Sequence, residues 1–263
     1  MKESYIGVFD SGVGGLAVVR ELKNQLPHNA VMYVADSRCF PYGTKTRDEI
    51  IERATALIHF LTLHGAEIVV VACNTASSAI FPDIQHHVDV PVLGMISAGV
   101  KSAQLATRNH KVAVLSTPAT ARSHAYLRAM SILDPTVEMI ELQSQELVNL
   151  IEHQAIGGKD VREYAEQILK PVREFGADTL VLGCTHFPFL YDLMGQVLGS
   201  AVKIVDPSKE LAYEVGLVLD KCRIAAGIGA EDRFFTTGEP KDFLEKACFF
   251  LGDYVRAVEV ADV

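Results

Sequence analysis

The segment GAEIVVVACNT, residues 65–75, contains a run of apolar residues that ends in Cys73. GADTLVLGCTH, residues 176–186, repeats the pattern: a glycine, an alanine, an acidic residue, an apolar run and then Cys184. A short apolar run bounded by polar and turn residues is typical of a buried strand. We therefore predict that the two cysteines occupy the same place, at the end of a strand, in two similar halves of the chain.

Two further pairs of segments follow the same order. IGVFDS, residues 6–11, matches VAVLST, residues 112–117, and VPVLG, residues 90–94, matches VKIVD, residues 202–206. One short match can arise by chance, but three in the same order indicate an internal duplication.

Short β-branched runs alternate with helical stretches along the whole chain, which predicts an α/β fold with mostly parallel sheets and helices on both faces. A helix is predicted over residues 46–64, where Thr46 and Glu49 form a capping box and the apolar residues share one face. The predicted strands are residues 6–9, 31–35, 68–72, 92–95, 112–115, 180–182 and 202–205.

Composition excludes several classes of protein. With 263 residues the chain is long enough for two domains, and the net charge of −9 without a basic cluster argues against nucleic acid or an anionic membrane as partner. No signal peptide or membrane-spanning apolar run is visible, so we expect a cytoplasmic protein. Its five cysteines include no CxxC pair, which favours reduced thiols over a disulfide framework.

Small and hydroxylic residues follow four of the strands. In an open parallel sheet the ligand crevice lies beyond the carboxyl ends of the strands, and backbone N–H groups at such turns bind anions. Two similar halves packed face to face would bring Cys73 and Cys184 to opposite sides of one cleft. The four clusters are DSGVGG (10–15), CNTASS (73–78), STPAT (116–120) and CTHFP (184–188).

Two thiols on opposite faces of a ligand suit the inversion of a carbon stereocentre, because one removes the α-proton and the other returns a proton to the opposite face. We expect each cysteine to open a helix, whose N-terminus would lower the pKa of the thiol. The hypothesis is a cofactor-free racemase of a small acidic amino acid. Cys39, Cys222 and Cys248 lack this context and are interpreted as structural.

Other chemistries remain open. GVGGLA, residues 12–17, fits a loose dinucleotide-binding pattern with Asp36 as a ribose ligand, although Asp10 would face the pyrophosphate. An NAD-dependent oxidoreductase is therefore a remote alternative. A redox disulfide, or a metal held by Cys184 and His186, lacks the usual spacing of such sites.

The sequence also resembles the glutamate racemase family of the aspartate/glutamate racemase superfamily. The shared motifs run through nearly the whole chain. They are FDSGVGGL (9–16), PYG (41–43), ACNTAS (72–77), GCTHFP (183–188) and FFTTG (234–238). The resemblance implies two flavodoxin-like domains related by a pseudo-two-fold axis, residues 1–97 plus 208–263 and residues 98–207, with the active site in the cleft between them.

The resemblance further implies that Cys73 and Cys184 are the acid/base pair and act on glutamate without pyridoxal phosphate or metal. Asp10 would assist Cys73, His186 would assist Cys184, and Glu152 would be a further acidic residue near the second cysteine. The family makes D-glutamate for peptidoglycan synthesis. Residues expected to bind the substrate are Asp10, Ser11, Pro41, Tyr42, Gly43, Asn74, Thr75, Thr117, Thr120, Thr185 and His186.

Physical reasoning on the sequence does not separate glutamate from aspartate, since one methylene changes binding by only about 1–3 kcal/mol. Aspartate racemase, or another cysteine-dependent isomerase of the superfamily, is therefore the nearest alternative. The resemblance also suggests a homodimer, for which the sequence itself shows no interface. The resemblance leaves open whether a cell-wall precursor activates this protein: some family members carry an N-terminal extension associated with such activation, and the first predicted strand here begins at about Ile6.

Overall fold

The computed structural model describes residues 4–153, 158–224, 227 and 230–263. Its strands and helices alternate through these residues, as the sequence predicts. The strands are β1 (Tyr5–Asp10), β2 (Val31–Ala35), β3 (Ala66–Val71), β4 (Val92–Gly94), β5 (Lys111–Ser116), β6 (Glu138–Gln143), β7 (Thr179–Gly183), β8 (Lys203–Val205), β9 (Arg233–Thr236) and β10 (Glu259–Val260). The α-helices are α1 (Leu16–Gln25), α2 (Arg47–Leu63), α3 (Asn74–Ile80), α4 (Met95–Ala106), α5 (Pro118–Ser123), α6 (Ala125–Leu133), α7 (Glu146–Glu152), α8 (Lys159–Phe175), α9 (Tyr191–Leu198), α10 (Ser208–Cys222) and α11 (Pro240–Leu251).

These strands form two parallel sheets, which confirms the predicted α/β class. The first sheet has the order β10-β9-β2-β1-β3-β4 and the second has the order β6-β5-β7-β8. All of the pairings are parallel. Strands β1–β4 and β5–β8 share one order, in which the first strand of each set lies between the second and the third. The matched segments therefore occupy equivalent places: β1 with β5, β3 with β7, and β4 with β8.

Three strands were missed by the sequence analysis, and all are at or near a sheet edge. Strand β6 mixes acidic and apolar residues; its two end residues are exposed and its four central residues are partly buried. Strand β10 has only two residues, both exposed. Strand β9 is a four-residue strand between β2 and β10. Edge and very short strands lack the continuous apolar run that marks a buried central strand.

Helix α2 confirms the predicted capping box. The backbone N–H of Glu49 donates to Thr46 Oγ1 at 3.4 Å, and the backbone N–H of Thr46 donates to Glu49 Oε2 at 2.8 Å. This reciprocal pair satisfies N–H groups that the first helical turn leaves free. The buried face packs on the first sheet, and its residues are Ile50, Ala54, Leu57, Ile58 and Leu61.

Helix α4 joins the two halves. Met95 and Ala98 belong to the core on one face of the first sheet, whereas Ile96, Val100 and Ala103 pack against the second sheet. The strands divide between the sheets as the predicted domains do, with β1–β4, β9 and β10 in one and β5–β8 in the other. The boundaries at residues 97/98 and 207/208 stay a prediction. Among the helices of the described residues, none combines the length and apolarity required to cross a bilayer.

Candidate active site

Cys73 lies where β3 ends and α3 begins. It is the N-cap residue of α3, and its sulfur accepts a hydrogen bond from the backbone N–H of Ala76 at 3.5 Å. The thiol is buried and lies 3.9 Å from Ser11 Oγ in the loop that follows β1. The prediction that this cysteine opens a helix is confirmed.

Cys184 follows β7 directly, but no α-helix begins there. A short 3₁₀ helix, Phe187–Leu190, comes first, and α9 begins only at Tyr191. The prediction of a helix opening at Cys184 is therefore wrong, because the segment closes with a tight turn. That turn brings His186 Nδ1 to 3.8 Å from the sulfur of Cys184.

Both cysteines border one small cavity between the two sheets. Its volume of about 20 Å³ is room for about one water molecule. Most of the predicted substrate-binding residues lie in its wall. The wall consists of Ser11, Phe40, Pro41, Tyr42, Gly43, Cys73, Asn74, Thr75, Thr117, Gln145, Val148, Cys184, Thr185 and His186.

Three other predicted residues lie directly behind this wall. Thr120 donates to or accepts from Thr75 at 3.2 Å and Thr117 at 3.0 Å. Asp10 Oδ2 accepts a hydrogen bond from Thr185 Oγ1 at 3.0 Å. Glu152 lies behind His186. These contacts hold wall residues in place across the junction between the sheets.

Asn74 has an unused donor in the wall. Its Oδ1 accepts a hydrogen bond from Tyr126 at 2.6 Å, which fixes the orientation of the amide. The buried Nδ2 group has no hydrogen-bond partner among the described residues. A buried amide without a partner is costly, so its position at the cavity indicates a group that awaits a ligand acceptor.

A chain of charged groups extends from Cys184 away from the cavity. His186 Nε2 lies 2.8 Å from Glu152 Oε1, and Lys246 donates to Glu152 Oε2 at 2.7 Å. Burial opposes protonation of His186, but its hydrogen bonds with Cys184 and Glu152 outweigh burial and raise its pKa to about 10. Burial alone would raise the pKa of Glu152, yet His186 and Lys246 lower it to about 2. An imidazolium therefore faces the sulfur of Cys184 at neutral pH.

The surroundings of Cys73 have the opposite effect on its thiol. Burial, and then the negative charge of Asp10, raise the pKa of Cys73 to about 12. The hydrogen bonds from Ala76 and with Ser11 lower it, but by less. The prediction that the helix N-terminus lowers this pKa is thus wrong for the closed cavity, because desolvation exceeds the helix-end contribution. Cys73 is held as a neutral thiol.

Residues 6–215 match the family described as Asp/Glu/Hydantoin racemase. The chain belongs to the Asp/Glu/hydantoin racemase family. It is 40% identical over 261 residues to a protein of Acidothermus cellulolyticus named glutamate racemase, a match that covers 98% of this chain and 99% of that protein.

Solved structures agree with membership of the racemase family. A glutamate racemase isoform of Bacillus anthracis superposes with a TM-score of 0.93 at 33% identity, covering 100% of this chain and 98% of the other. The glutamate racemase of Francisella tularensis in complex with D-glutamate superposes with a TM-score of 0.91 at 30% identity, with the same coverage. The resemblance stated from the motifs is confirmed.

The glycine loop of this racemase-family chain contacts protein rather than a dinucleotide. A Cβ at Gly14 would lie 2.4 Å from Thr185 Oγ1 and 2.6 Å from His186 Nδ1, so only glycine permits this approach of the two halves. The backbone N–H of Gly12 donates to Asp10 Oδ1 at 2.9 Å. The loop therefore packs against the turn that follows Cys184, which leaves no space for a pyrophosphate at Gly14.

Asp36 is likewise occupied by protein partners. It is fully buried, and both of its oxygens bind Arg53, at 2.9 and 3.0 Å. The hydroxyls of Tyr42 and Thr237 donate to it at 2.6 and 2.8 Å. Burial alone would raise its pKa, but these four hydrogen bonds lower it. Asp36 anchors Tyr42 in the cavity wall.

Replacing Asp36 with alanine is expected to destabilise the protein by about 3 kcal/mol, because it leaves Arg53 without its buried partner. Urea unfolding of the two proteins measures this difference. Since the folded pKa of Asp36 is lowered, its contribution is present above its unfolded pKa and is lost as the pH falls through the folded value. An unchanged unfolding midpoint in the variant at neutral pH would contradict the assignment of Asp36 to the structural core.

Sequence reasoning missed Lys246 and three residues of the cavity wall, Phe40, Gln145 and Val148. Gln145 Oε1 is buried without a partner among the described residues. Nothing in the pattern around a lone helical lysine or glutamine marks it as part of a site. The described residues contain no group of three or more His, Cys, Asp or Glu side chains that could hold a metal ion. All five cysteines are free thiols.

Proposed function

We propose that this protein interconverts L-glutamate and D-glutamate by moving protons between the α-carbon and two thiols. The observation that carries the proposal is the placement of Cys73 and Cys184 at equivalent strand ends around one cavity, each beside a different set of charged groups. The names of its relatives support glutamate as the substrate. The D-glutamate formed would supply peptidoglycan synthesis.

The charges around the two thiols suit opposite roles. The imidazolium of His186 faces Cys184 and stabilises a thiolate there, whereas burial and Asp10 keep Cys73 protonated. In one direction the Cys184 thiolate takes the α-proton, the C–H bond breaks and its electron pair stays on the substrate. The Cys73 thiol then gives its proton to the opposite face. The two thiols end with exchanged protonation states, from which the reverse reaction proceeds.

The substrate carboxylates would be held by neutral donors. Among the described residues no arginine or lysine lines the cavity, whereas its wall contains Asn74, with its unpaired Nδ2, and the hydroxyl residues Ser11, Thr75 and Thr117. Such donors, fixed before the reaction, stabilise negative charge that develops on the substrate carboxylate when the α-proton leaves. This arrangement explains how an acidic protein can bind an acidic substrate.

The closed cavity is too small for glutamate, so we propose that the two halves separate to admit it. Gly43, beside β2 in the first sheet, packs so tightly on Thr117 that a Cβ would lie 2.9 Å from Thr117 Cβ. Closure over the substrate would exclude water, which strengthens each electrostatic contact and protects the carbanion from solvent protons.

The test of this function is the circular dichroism of D-glutamate, and separately D-aspartate, incubated with the purified protein, a reducing agent and a chelator, without added cofactor. Decay of the D-glutamate signal to zero is expected, with D-aspartate much slower. Loss of the D-aspartate signal alone would favour the aspartate racemase alternative, and no decay with either would contradict the proposal. A cytoplasmic location, a homodimer, the absence of a nucleic-acid partner and the domain boundaries remain predictions.

A further inference from the structure

Glu152 uses both of its carboxylate oxygens. Oε1 lies 2.8 Å from His186 Nε2, and Oε2 accepts a hydrogen bond from Lys246 at 2.7 Å. Only 5% of the Glu152 side chain is exposed, against 41% for Lys246. The position of the buried carboxylate is therefore set by two cations, one beside Cys184 and one at the surface.

Lys246 and Glu152 come from elements that pack on different sheets. Helix α11 packs Phe243 and Ala247 into the core of the first sheet. Helix α7 packs Leu147 and Ile151 into the core of the second sheet. The ion pair thus links the second cysteine's partners to a helix of the opposite half.

The surroundings leave Lys246 a single close acceptor. Glu239 and Asp242 border the same cleft as Lys246. Among the described residues, however, the carboxylate that lies within 4 Å of the Lys246 ammonium is that of Glu152. The negative charge of Glu152 also contributes to raising the pKa of Asp10 and the pKa of Tyr33. Among the described residues, the hydrogen bond and ion pair of Lys246 go to Glu152 and not to Cys73, Ser11 or Asp10.

We propose that Lys246 is a positioning residue for the Cys184 half of the reaction, acting through Glu152 and His186. With Lys246 present, Glu152 is fixed at both oxygens and directs the imidazolium Nδ1–H at the sulfur of Cys184. Without it, the carboxylate can rotate and the imidazolium loses its fixed direction. Because the direct hydrogen-bond partners of Cys73 are Ala76 and Ser11, which Lys246 does not hold, the loss falls mainly on Cys184. This inference rests on the proposed racemase function.

The test compares Lys246→Met with Lys246→Arg, and uses Lys241→Met as the matched control. Lys241 is an exposed lysine on the same helix, so its replacement makes the same change in net charge. We expect Lys246→Met to lower kcat about tenfold, by analogy with the smaller effect of removing a group that orients a metal-ligating histidine. Lys246→Arg restores the cation and should retain most of the activity. Lys241→Met should match the unmodified protein.

The deciding measurement is the primary deuterium isotope effect on kcat/KM with α-deuterated L- and D-glutamate. Slower transfer at Cys184 should increase the isotope effect for the enantiomer that gives its proton to Cys184 and decrease it for the other. A general loss of structure would not produce this asymmetry. Lys246→Gln, which keeps a donor but no charge, provides a second variant if Lys246→Met does not fold.

Three results would overturn the inference: full activity in Lys246→Met, an equal loss in Lys241→Met, or reduced activity with both isotope effects unchanged. These results differ from failure of the proposed function itself. If the unmodified protein does not racemise glutamate, the function and the inference fall together. If it does, and Lys246→Met behaves identically, only the role of Lys246 is lost.

Discussion

Replacing either Cys73 or Cys184 with alanine is expected to reduce racemisation by roughly 10³–10⁴-fold, the upper range of what one acid/base group contributes. Each thiol serves one face of the substrate, and the other titratable side chains that border the cavity among the described residues are His186 and Tyr42, whose pKa is raised by burial. The loss should appear in kcat for both enantiomers, because the proton removed at one thiol must be balanced by a proton given at the other. Polarimetry of either enantiomer measures it.

The single-cysteine variants should separate proton removal from inversion. A protein with one thiol can take the α-proton and return a solvent-derived proton to the same face. We therefore expect Cys73→Ala and Cys184→Ala to exchange the α-proton of opposite enantiomers with deuterium from D₂O, without inversion. NMR of recovered glutamate would detect the exchange. Exchange of the same enantiomer by both variants would contradict placement of the thiols on opposite faces.

Cys222→Ala is the matched control for these variants. Cys222 is an exposed free thiol at the end of α10, and it is not one of the residues that line the cavity. Its replacement should leave racemisation unchanged. Far-UV circular dichroism should show the same helix content for all three variants, since a cysteine-to-alanine change removes only one sulfur atom, which is buried in Cys73 and Cys184 and exposed in Cys222.

Much of this fold could be predicted because its signals are local. The apolar runs before Cys73 and Cys184 have the length and composition of buried strands, and their repetition places both cysteines at equivalent ends. Thr46 and Glu49, three residues apart, form a capping box that predicts the start of α2. The small residues of the Gly12–Gly15 loop indicate a close approach, although sequence alone does not identify what approaches.

The protonation states could not be predicted, because they depend on distances between residues far apart in the chain. The helix N-terminus at Cys73 suggested a lowered pKa, but complete burial and the nearby carboxylate of Asp10 raise it. Glu152 would be an ordinary exposed helix carboxylate by its pattern. Its pKa falls only because His186 and Lys246 reach it from two other parts of the chain.

Contacts between residues far apart in the chain also decide against the dinucleotide-binding alternative, which the local sequence left open. Gly12–Ala17 fits the fingerprint, and the fingerprint predicts a tight turn with close backbone approach. The turn and the approach are both present, but the approaching groups are Thr185 and His186. A glycine pattern therefore predicts the space around a backbone without specifying what fills it.

Replacing His186 with asparagine is expected to lower kcat/KM by about 10²–10³-fold and to change its pH dependence. The raised pKa of His186, about 10, means that the imidazolium is lost as the pH rises through 10. Cys73 must stay protonated to act as the acid, and its pKa of about 12 allows that over a wider range. The kcat/KM profile of the unmodified protein should therefore fall first near pH 10, because His186 loses its proton before Cys73 does. The profile should be bell-shaped, because the reaction needs one thiolate and one thiol together.

In His186→Asn the decline near pH 10 should disappear, since asparagine does not titrate, and any remaining alkaline decline should move toward the higher pKa of Cys73. His28→Asn, at an exposed histidine outside the site, should keep the original profile. The stability of the folded protein should also depend on the protonation of His186. Because the folded pKa of His186 is raised, its contribution to stability is full below the unfolded pKa of about 6.5 and is lost as the pH rises through 10. If the decline near pH 10 persists unchanged in His186→Asn, the group that titrates there is not the partner of Cys184, and the asymmetry proposed for the two thiols must have another origin.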